Sequence, residues 1–279
     1  MWKVRHTLGL VFRYLRYYLR AKTRYDVDAP FIAGFVEEIL EDRRHFRAFE
    51  QIENLRKALM ANSSPLEVVD YGAGPRAIPS RARTVGRIVR SSALSARSGR
   101  YLFKAGLRYL PSTILEMGTS LGVSGLYLRM ARKVPRMFSL EGCPETAALA
   151  RKNFERAGGA ADISLRTGPF AQTLPGVLAE IDRLDMLYLD GDHRSGPTWD
   201  YFVQCVEKAH SKSVFVLADI HWSKDMERAW NRICQHHKIM LSIDLFEIGF
   251  LFFDEDLMEK QHWTLIPWRY KPWRLGIFR

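Results

Sequence analysis

The feature that most constrains this chain is a repeated unit, in which a short apolar run ends on a carboxylate and a helical pattern follows. Between residues 111 and 279 such runs end at Glu116, Glu141, Asp190 and Asp219. Alternating strands and helices favour a parallel sheet with helices on both faces, and ligands bind beyond the carboxyl ends of its strands. The sequence therefore predicts a doubly wound, Rossmann-like α/β fold with its site at these four acids.

The most informative unit lies between residues 112 and 132. Its strand ends at Glu116, the chain turns through Gly118 and Gly122, and a helix with one apolar face follows. Glycine lets the backbone turn tightly and approach a ligand, and the first free N–H groups of the helix point at that ligand. Thr119 or Ser120 can cap the helix. This arrangement is typical of a nucleotide-type pocket.

A second turn, Asp70 to Gly74, competes with this one. A dinucleotide-type pocket needs another acid about 20 residues further on, at the end of the next strand. After Asp70 no acid occurs before Glu116, whereas Glu141 follows Glu116 at a suitable distance. We therefore place the cofactor at the Glu116 turn. The Asp70 turn is either a structural corner or an anion-binding loop.

The last two predicted strands differ from the others. Residues 239–245 and 248–253 are apolar runs separated by a tight turn. So short a connection cannot hold a crossover helix, and the two strands must be antiparallel.

The positive charge is confined to one part of the chain. Residues 1–110 hold 21 Lys+Arg and 10 Asp+Glu, a net charge of +11, whereas residues 111–279 hold 21 of each. This excess predicts a basic surface that attracts anions, or a solvated face without a ligand. The three cysteines show no metal-type or paired spacing, which favours packing roles and a reducing, cytoplasmic compartment.

Residues 2–24 alternate apolar or aromatic residues with seven Lys+Arg. No apolar run approaches the roughly 20 residues of a membrane span, and a signal peptide is not expected. The pattern predicts a basic amphipathic helix that packs on its own domain or a partner, or else contacts an anionic membrane as a peripheral helix. Residues 30–62 are also predicted to be helical.

Several motifs together resemble the class I S-adenosylmethionine-dependent methyltransferases. They are the Glu116 glycine turn, Glu141, Gly168, the Asp-Gly-Asp-His segment 190–193 and the Asp-Ile-His-Trp-Ser segment 219–223. The last of these, with the segments 243–246 and 249–253, is similar to a bacterial O-methyltransferase-like group. The resemblance implies a seven-stranded sheet whose last strand is antiparallel. It also implies a helical, basic extension over residues 1–110 before a methyltransferase domain over 111–279.

The resemblance also assigns a cofactor site for S-adenosylmethionine. It implies that the Gly118–Gly122 turn wraps the methionine end, that Glu116 orients the amino group, and that Glu141 accepts hydrogen bonds from both ribose hydroxyls. The full predicted set is Glu116, Gly118, Thr119, Ser120, Gly122, Glu141, Gly142, Gly168 and Asp190.

Catalytic candidates follow two predicted strands that succeed each other along the chain. His193 and His221 lie after strand ends, and the ordinary pKa of histidine suits a general base. Asp190 and Asp219 are candidates as well, and in metal-dependent relatives of catechol O-methyltransferase such acids hold a divalent cation. Here Ile220 stands where those enzymes have Asn, so no metal ligand set is assigned and a metal is not favoured.

The sequence predicts a methyltransferase that acts on the oxygen of a small or anionic acceptor. The alternative is a non-catalytic binding or regulatory protein of the same fold, engaging nucleic acid or an anionic membrane. Nucleic-acid methylation is not favoured, because the Asn-Pro-Pro-Tyr type of motif is absent where residues 190–193 stand. The acceptor and the oligomeric state are not specified by the sequence.

Overall fold

A computed structural model of the chain describes residues 2–69, 82–132, 136–158, 162–254 and 259–273, with side chains from residue 6 onward. The Asp70–Gly74 turn, whose role was left open between a corner and an anion-binding loop, lies outside the described residues.

A single large sheet organises the molecule. Its strands are β3 (Thr113–Met117), β4 (Arg136–Glu141), β5 (Ile163–Thr167), β6 (Met186–Leu189), β7 (Val214–Ala218), β8 (Leu241–Asp244), β9 (Ile248–Phe252) and β10 (Gln261–Thr264). The order is β10-β8-β9-β7-β6-β3-β4-β5, and β9 alone among these strands is antiparallel to its neighbours. A separate small hairpin pairs β1 (Pro65–Glu67) with β2 (Ala82–Thr84).

Helices cover both faces of the sheet. The described helices are α1 (Trp2–Arg20), α2 (Pro30–Phe35), α3 (Arg47–Ala61), α4 (Val85–Ser92), α5 (Ala96–Tyr109), α6 (Val123–Ala131), α7 (Pro144–Arg156), α8 (Phe170–Glu180), α9 (Ser195–Val206) and α10 (Lys224–Cys234). From β3 onward, strand and helix alternate as predicted. The doubly wound α/β class is therefore confirmed.

The sheet has one strand more than predicted. The antiparallel hairpin is confirmed as β8 and β9, but β9 is not the last strand, because β10 pairs in parallel with the outer side of β8. The β10 sequence, Gln-His-Trp-Thr, has no continuous apolar run, since an edge strand is only half covered. That is why periodicity did not reveal it.

The predicted helix over residues 30–62 is interrupted. After α2 the chain makes a single wider turn at Val36–Leu40 and is not helical again until α3. Asp42 explains the break, because its side chain accepts a hydrogen bond from the backbone N–H of Arg44 at 2.8 Å and offers the chain an alternative to helix. Lys104 then donates to the carbonyls of Ile39 and Asp42 at 3.3 and 2.6 Å.

The N-terminal segment and the sheet share one hydrophobic core. Buried residues of α2 and α5, such as Phe35 and Leu102, belong to the same cluster as Ile114 of β3 and Phe250 of β9. The rings of Phe35 and Phe250 meet edge to face at 5.1 Å. The predicted boundary between residues 110 and 111 stays a prediction, and the core crosses it.

Helix α1 packs on the carboxyl-end side of the sheet through one polar and aromatic face. Arg13 is buried and donates from Nε and Nη2 to the carbonyls of His221 and Trp222, at 2.7 and 2.9 Å. Tyr17 donates its hydroxyl to the carbonyl of Leu265 at 2.5 Å. Packing of this helix on its own domain, one of the predicted alternatives, is thus observed. In the described part of the chain, the helices are all too short or too polar to cross a membrane.

Candidate active site

The glycine turn after β3 is held between the ends of two neighbouring strands. The N–H groups of Gly118 and Thr119 both donate to the carbonyl of Leu140 in β4, at 3.0 and 3.1 Å. Gly118 has φ +102°, and a Cβ at this position would lie 2.0 Å from the carbonyl oxygen of Asp190 after β6. Only glycine fits so close a backbone approach in this conformation.

The second glycine of the turn begins α6. Gly122 has φ +85°, and a Cβ there would lie 2.7 Å from the ring of Phe154. Its N–H donates to the carbonyl of Thr119 at 2.8 Å. These contacts fix both ends of the turn. The N-terminus of α6 therefore lies next to the carboxyl ends of β3 and β4.

Glu141 lies at the end of β4, beside this turn. One carboxylate oxygen accepts from the backbone N–H of Ser120 at 2.8 Å, and the other accepts from the N–H of Cys143 at 2.9 Å. The residue is half-buried. These bonds fix the orientation of the carboxylate beside the glycine turn.

Glu116 is fully buried beneath the turn. It accepts hydrogen bonds from the hydroxyls of Ser124 at 2.6 Å and Ser139 at 2.5 Å. Burial raises the pKa of Glu116 to about 7, against the two hydroxyl bonds that lower it. The expected role of Glu116, orienting an amino group, stays a prediction.

A small cleft opens over the glycine turn. It is lined by Gly118 to Leu121, Val123, Ser124 and Asp190 on the sheet side. The rest of its wall comes from Val89 and Ser92 of α4 and from Ala93 and Leu94 in the α4–α5 connection, which the sequence did not implicate. The sequence feature that indicates this connection is Ser95, the N-cap residue of α5. Its hydroxyl accepts a hydrogen bond from the N–H of Ser98 at 3.2 Å.

A cluster of three ionisable side chains lies beyond β6 and β7. Ligand-type atoms of Asp190, His193 and Asp219 all lie within 4.8 Å of one another. The Nε2 atom of His193 is 3.7 Å from a carboxylate oxygen of Asp219. Tyr188 donates its hydroxyl to Asp190 at 2.8 Å. The structure thus brings together three of the four predicted catalytic residues.

Burial raises the pKa of both aspartates. Burial and the charge of Asp219 raise the pKa of Asp190 to about 6, while His193 and the Tyr188 hydroxyl oppose this shift. Burial likewise raises the pKa of Asp219. Perturbed carboxylates in a cleft are a frequent property of functional sites.

The donor set of this cluster fits a divalent cation. Two carboxylates and one imidazole are ligands that such ions accept. Ile220 is fully buried and offers no donor atom. For a bound cation, the imidazole of His193 would supply the third donor instead, an assignment that sequence reasoning did not make.

His221, the fourth candidate, has different surroundings. Its Nδ1 lies 2.7 Å from Glu227 and its Nε2 lies 2.8 Å from Asp244, so both ring nitrogens are engaged by carboxylates. The ring is buried and stacks on Phe246 at 5.1 Å between centroids. Burial lowers the pKa of His221, but the bonds to Asp244 and Glu227 outweigh it and raise the pKa overall. This geometry suits a charged structural imidazolium better than a base.

The loops that follow β3, β6 and β7 contain residues in a strained backbone conformation. Of the five non-glycine residues with positive φ in the described ranges, three follow the strands of the site: Ser120, Asp192 and Asp219, with φ of 47°, 52° and 54°. Such conformations cost free energy and persist where the surroundings impose them, often at functional sites.

Residues 115–220 match a family described as a methyltransferase domain. The match covers 106 of the 279 residues. It contains the glycine turn, Glu141 and the Asp190–His193–Asp219 cluster, so the recognised segment and the candidate site coincide.

Curated relatives match about half of the chain. A catechol O-methyltransferase of Niastella koreensis is 31% identical over 130 residues, which is 45% of this chain and 57% of that protein. A catechol O-methyltransferase of Mycobacterium tuberculosis is 30% identical over 129 residues, 46% of this chain and 57% of that protein. The match therefore spans less than two thirds of either relative.

Solved structures share the methyltransferase fold over a larger part. An O-methyltransferase from Bacillus cereus, in complex with SAH, has a TM-score of 0.54 at 17% identity and covers 80% of this chain and 97% of its own. TomG, an O-methyltransferase from Streptomyces achromogenes in complex with SAM, has a TM-score of 0.55 at 16% identity. The likeness covers 79% of this chain and 94% of the TomG chain. At these identities the likeness concerns the fold.

Proposed function

We propose that this chain is an S-adenosylmethionine-dependent O-methyltransferase that acts on a small-molecule hydroxyl. The observation that carries the proposal is the placement of the Asp190–His193–Asp219 cluster next to a glycine turn, within a segment of a methyltransferase family. The names of the relatives, catechol O-methyltransferases among them, support transfer to oxygen.

The cofactor site in this proposal is the cleft over the glycine turn. Glu141 would accept hydrogen bonds from the ribose hydroxyls, since its carboxylate is already oriented by the N–H groups of Ser120 and Cys143. Thr119, Ser120, Gly142 and Gly168 complete the proposed cofactor-binding set. Bound S-adenosylmethionine supplies an electrophilic methyl group.

The protein has two tasks in such a transfer: it aligns the acceptor oxygen with the methyl carbon and removes the hydroxyl proton. We assign the second task to His193. Its Nε2 would accept the proton, and the carboxylate of Asp219, 3.7 Å away, would stabilise the imidazolium that forms. The oxygen–carbon bond forms as the carbon–sulfur bond breaks.

A divalent cation could be held by the same three side chains. Asp190 and Asp219 would then be its carboxylate ligands, with His193 as the third, and a bound cation would lower the pKa of the acceptor hydroxyl. Chelation distinguishes the two arrangements. With His193 as the base, activity persists after exhaustive chelation; with a cation, activity is lost and returns when Mg²⁺ or Mn²⁺ is added.

The test of the proposed function is methyl transfer itself. The purified chain is incubated with S-adenosylmethionine carrying a labelled methyl group and a panel of catechols and other small phenols. Label in an ether product supports the proposal. Absence of transfer to oxygen across the panel and in a metabolite extract, by a protein that binds the cofactor, would contradict it. That second result would favour the alternative binding protein, which gains no support from the comparisons.

A further inference from the structure

Helix α1 presents an apolar stripe to solvent. The stripe consists of Leu8, Val11, Phe12, Leu15 and Leu19, whose exposed fractions range from 49% to 75%. Their spacing of three and four residues places them on one face of the helix. Of the twelve exposed large hydrophobic residues in the described ranges, six lie on α1. Such a concentration is typical of an interaction surface.

The orientation of α1 is fixed by its opposite face. The buried Arg13 and Tyr17 hold the helix to the loop after β7 and to the chain after β10 through the hydrogen bonds given above. The ring of Tyr14 packs edge to face on Phe246 at 5.0 Å. The stripe points outward because the opposite face of α1, with Arg13, Tyr14 and Tyr17, makes these contacts with the rest of the protein. Rotation of the helix would break them.

The chain segment that carries the stripe is basic. The first 25 residues hold seven Lys+Arg and no acid. Arg16 and Arg20 are exposed on α1, and Arg16 forms an ion pair with Glu227. An apolar stripe bordered by cations complements an anionic lipid surface, into which the apolar residues insert while the cations meet headgroups.

Two exposed aromatic residues of the C-terminal segment lie near the same helix. Trp273 is 59% exposed and its ring lies 6.1 Å from that of Tyr18. Tyr270 is 38% exposed, and its carbonyl accepts from the hydroxyl of Tyr18 at 2.7 Å. Trp and Tyr favour the boundary between water and lipid, because each joins an apolar ring to a polar group.

We propose that α1 docks this protein on an anionic lipid bilayer as a peripheral helix, with the apolar stripe in the headgroup region. A second copy fits the stripe less well. A two-fold contact through α1 places the same surface on both sides, so that two positive segments would face each other. An anionic bilayer offers the opposite charge.

The test is flotation of the full chain with vesicles of phosphatidylcholine alone and of phosphatidylcholine mixed with phosphatidylglycerol. We expect binding to the mixed vesicles, weakened by added salt. The double substitution Phe12→Ser, Leu15→Ser should weaken it roughly a hundredfold, because two apolar side chains no longer leave water. Arg20→Gln should weaken it about fivefold on the anionic vesicles.

The matched control is Val69→Ser, which removes an exposed apolar side chain outside α1 and should leave binding unchanged. All substituted side chains are exposed, so thermal melts should stay close to that of the unmodified chain. Failure of the unmodified chain to float with anionic vesicles would overturn the proposal, and so would equal binding by the double variant. A dimer in light scattering that the double variant dissociates would assign the stripe to a second copy instead.

Discussion

The strand ends of β3 and β4 and those of β6 and β7 use the same residue types in different ways. At β3 and β4 the carboxylates of Glu116 and Glu141 accept hydrogen bonds from hydroxyls and backbone N–H groups of the fold itself. At β6 and β7, Asp190 and Asp219 crowd each other beside His193. In the proposed function, the first region holds the cofactor. The second region places two carboxylates beside an imidazole, an arrangement that suits proton transfer.

A similar contrast separates the two histidines of the second region. His193 keeps 30% of its side-chain surface exposed, and its Nε2 lies 3.7 Å from Asp219. In His221, by contrast, each ring nitrogen has a carboxylate within 2.8 Å. Residue type and position after a strand do not distinguish a base from a structural cation. The groups within hydrogen-bond distance do.

The largest expected effect concerns His193. His193→Gln should lower the rate of methyl transfer by about 10²- to 10⁴-fold, the usual contribution of a general base. Binding of S-adenosylhomocysteine, measured by calorimetry, should be unchanged. His237→Gln, at an exposed histidine away from the cluster, is the control. A full rate in the His193 variant would remove the residue from the proposed mechanism.

The second effect concerns stability at His221. His221→Gln removes the cation between Asp244 and Glu227 and leaves two carboxylates facing each other, so the free energy of unfolding should fall by about 3 kcal/mol. Urea unfolding measures this change. The rate per folded molecule should stay within a few-fold of the original. A large loss of rate at unchanged stability would give His221, and not His193, the catalytic role.

The sequence predicted the alternation of strands and helices from β3 onward. It also placed Glu141, Asp190, His193 and Asp219 at strand ends, because each follows an apolar strand along the chain. It could not predict the surroundings of His221. Its partners come from α10 and β8, and its backbone carbonyl is bound by Arg13, 208 residues away. The wall formed by Ser92 to Leu94 and the edge strand β10 were missed for the same reason, since tertiary contacts and not local periodicity define them.

The third effect is a dependence of folding stability on pH, which arises from Glu116. Its pKa is raised from 4.5 to about 7 in the folded protein. As pH rises through this interval, the unfolded chain loses the proton first, so stability falls, and the fall is complete above pH 7. The expected size is on the order of 3 kcal/mol.

Glu116→Gln isolates this contribution, since glutamine does not titrate. Its carbonyl oxygen can accept from one serine hydroxyl, and its NH2 group can donate to the other. The difference in unfolding free energy between the original chain and this variant should change across the interval, in the absence of cofactor. Urea unfolding on both sides of it provides the measurement. A difference independent of pH would show that Glu116 does not carry a proton at neutral pH.

The smallest effect is expected at Glu141, whose carboxylate already accepts hydrogen bonds from two backbone N–H groups of the fold. Glu141→Ala would remove the proposed acceptor bonds to the ribose. A net loss of about 1.5 to 3 kcal/mol should weaken binding of S-adenosylhomocysteine roughly ten- to hundredfold. Glu155→Ala, at an exposed carboxylate on α7, should bind normally. Because Glu141 also accepts from Ser120 and Cys143, a thermal melt must accompany the titration. Weaker binding at an unchanged melting temperature places the loss in the ligand contact, whereas original affinity in the variant would contradict the ribose assignment and move the cofactor away from β4.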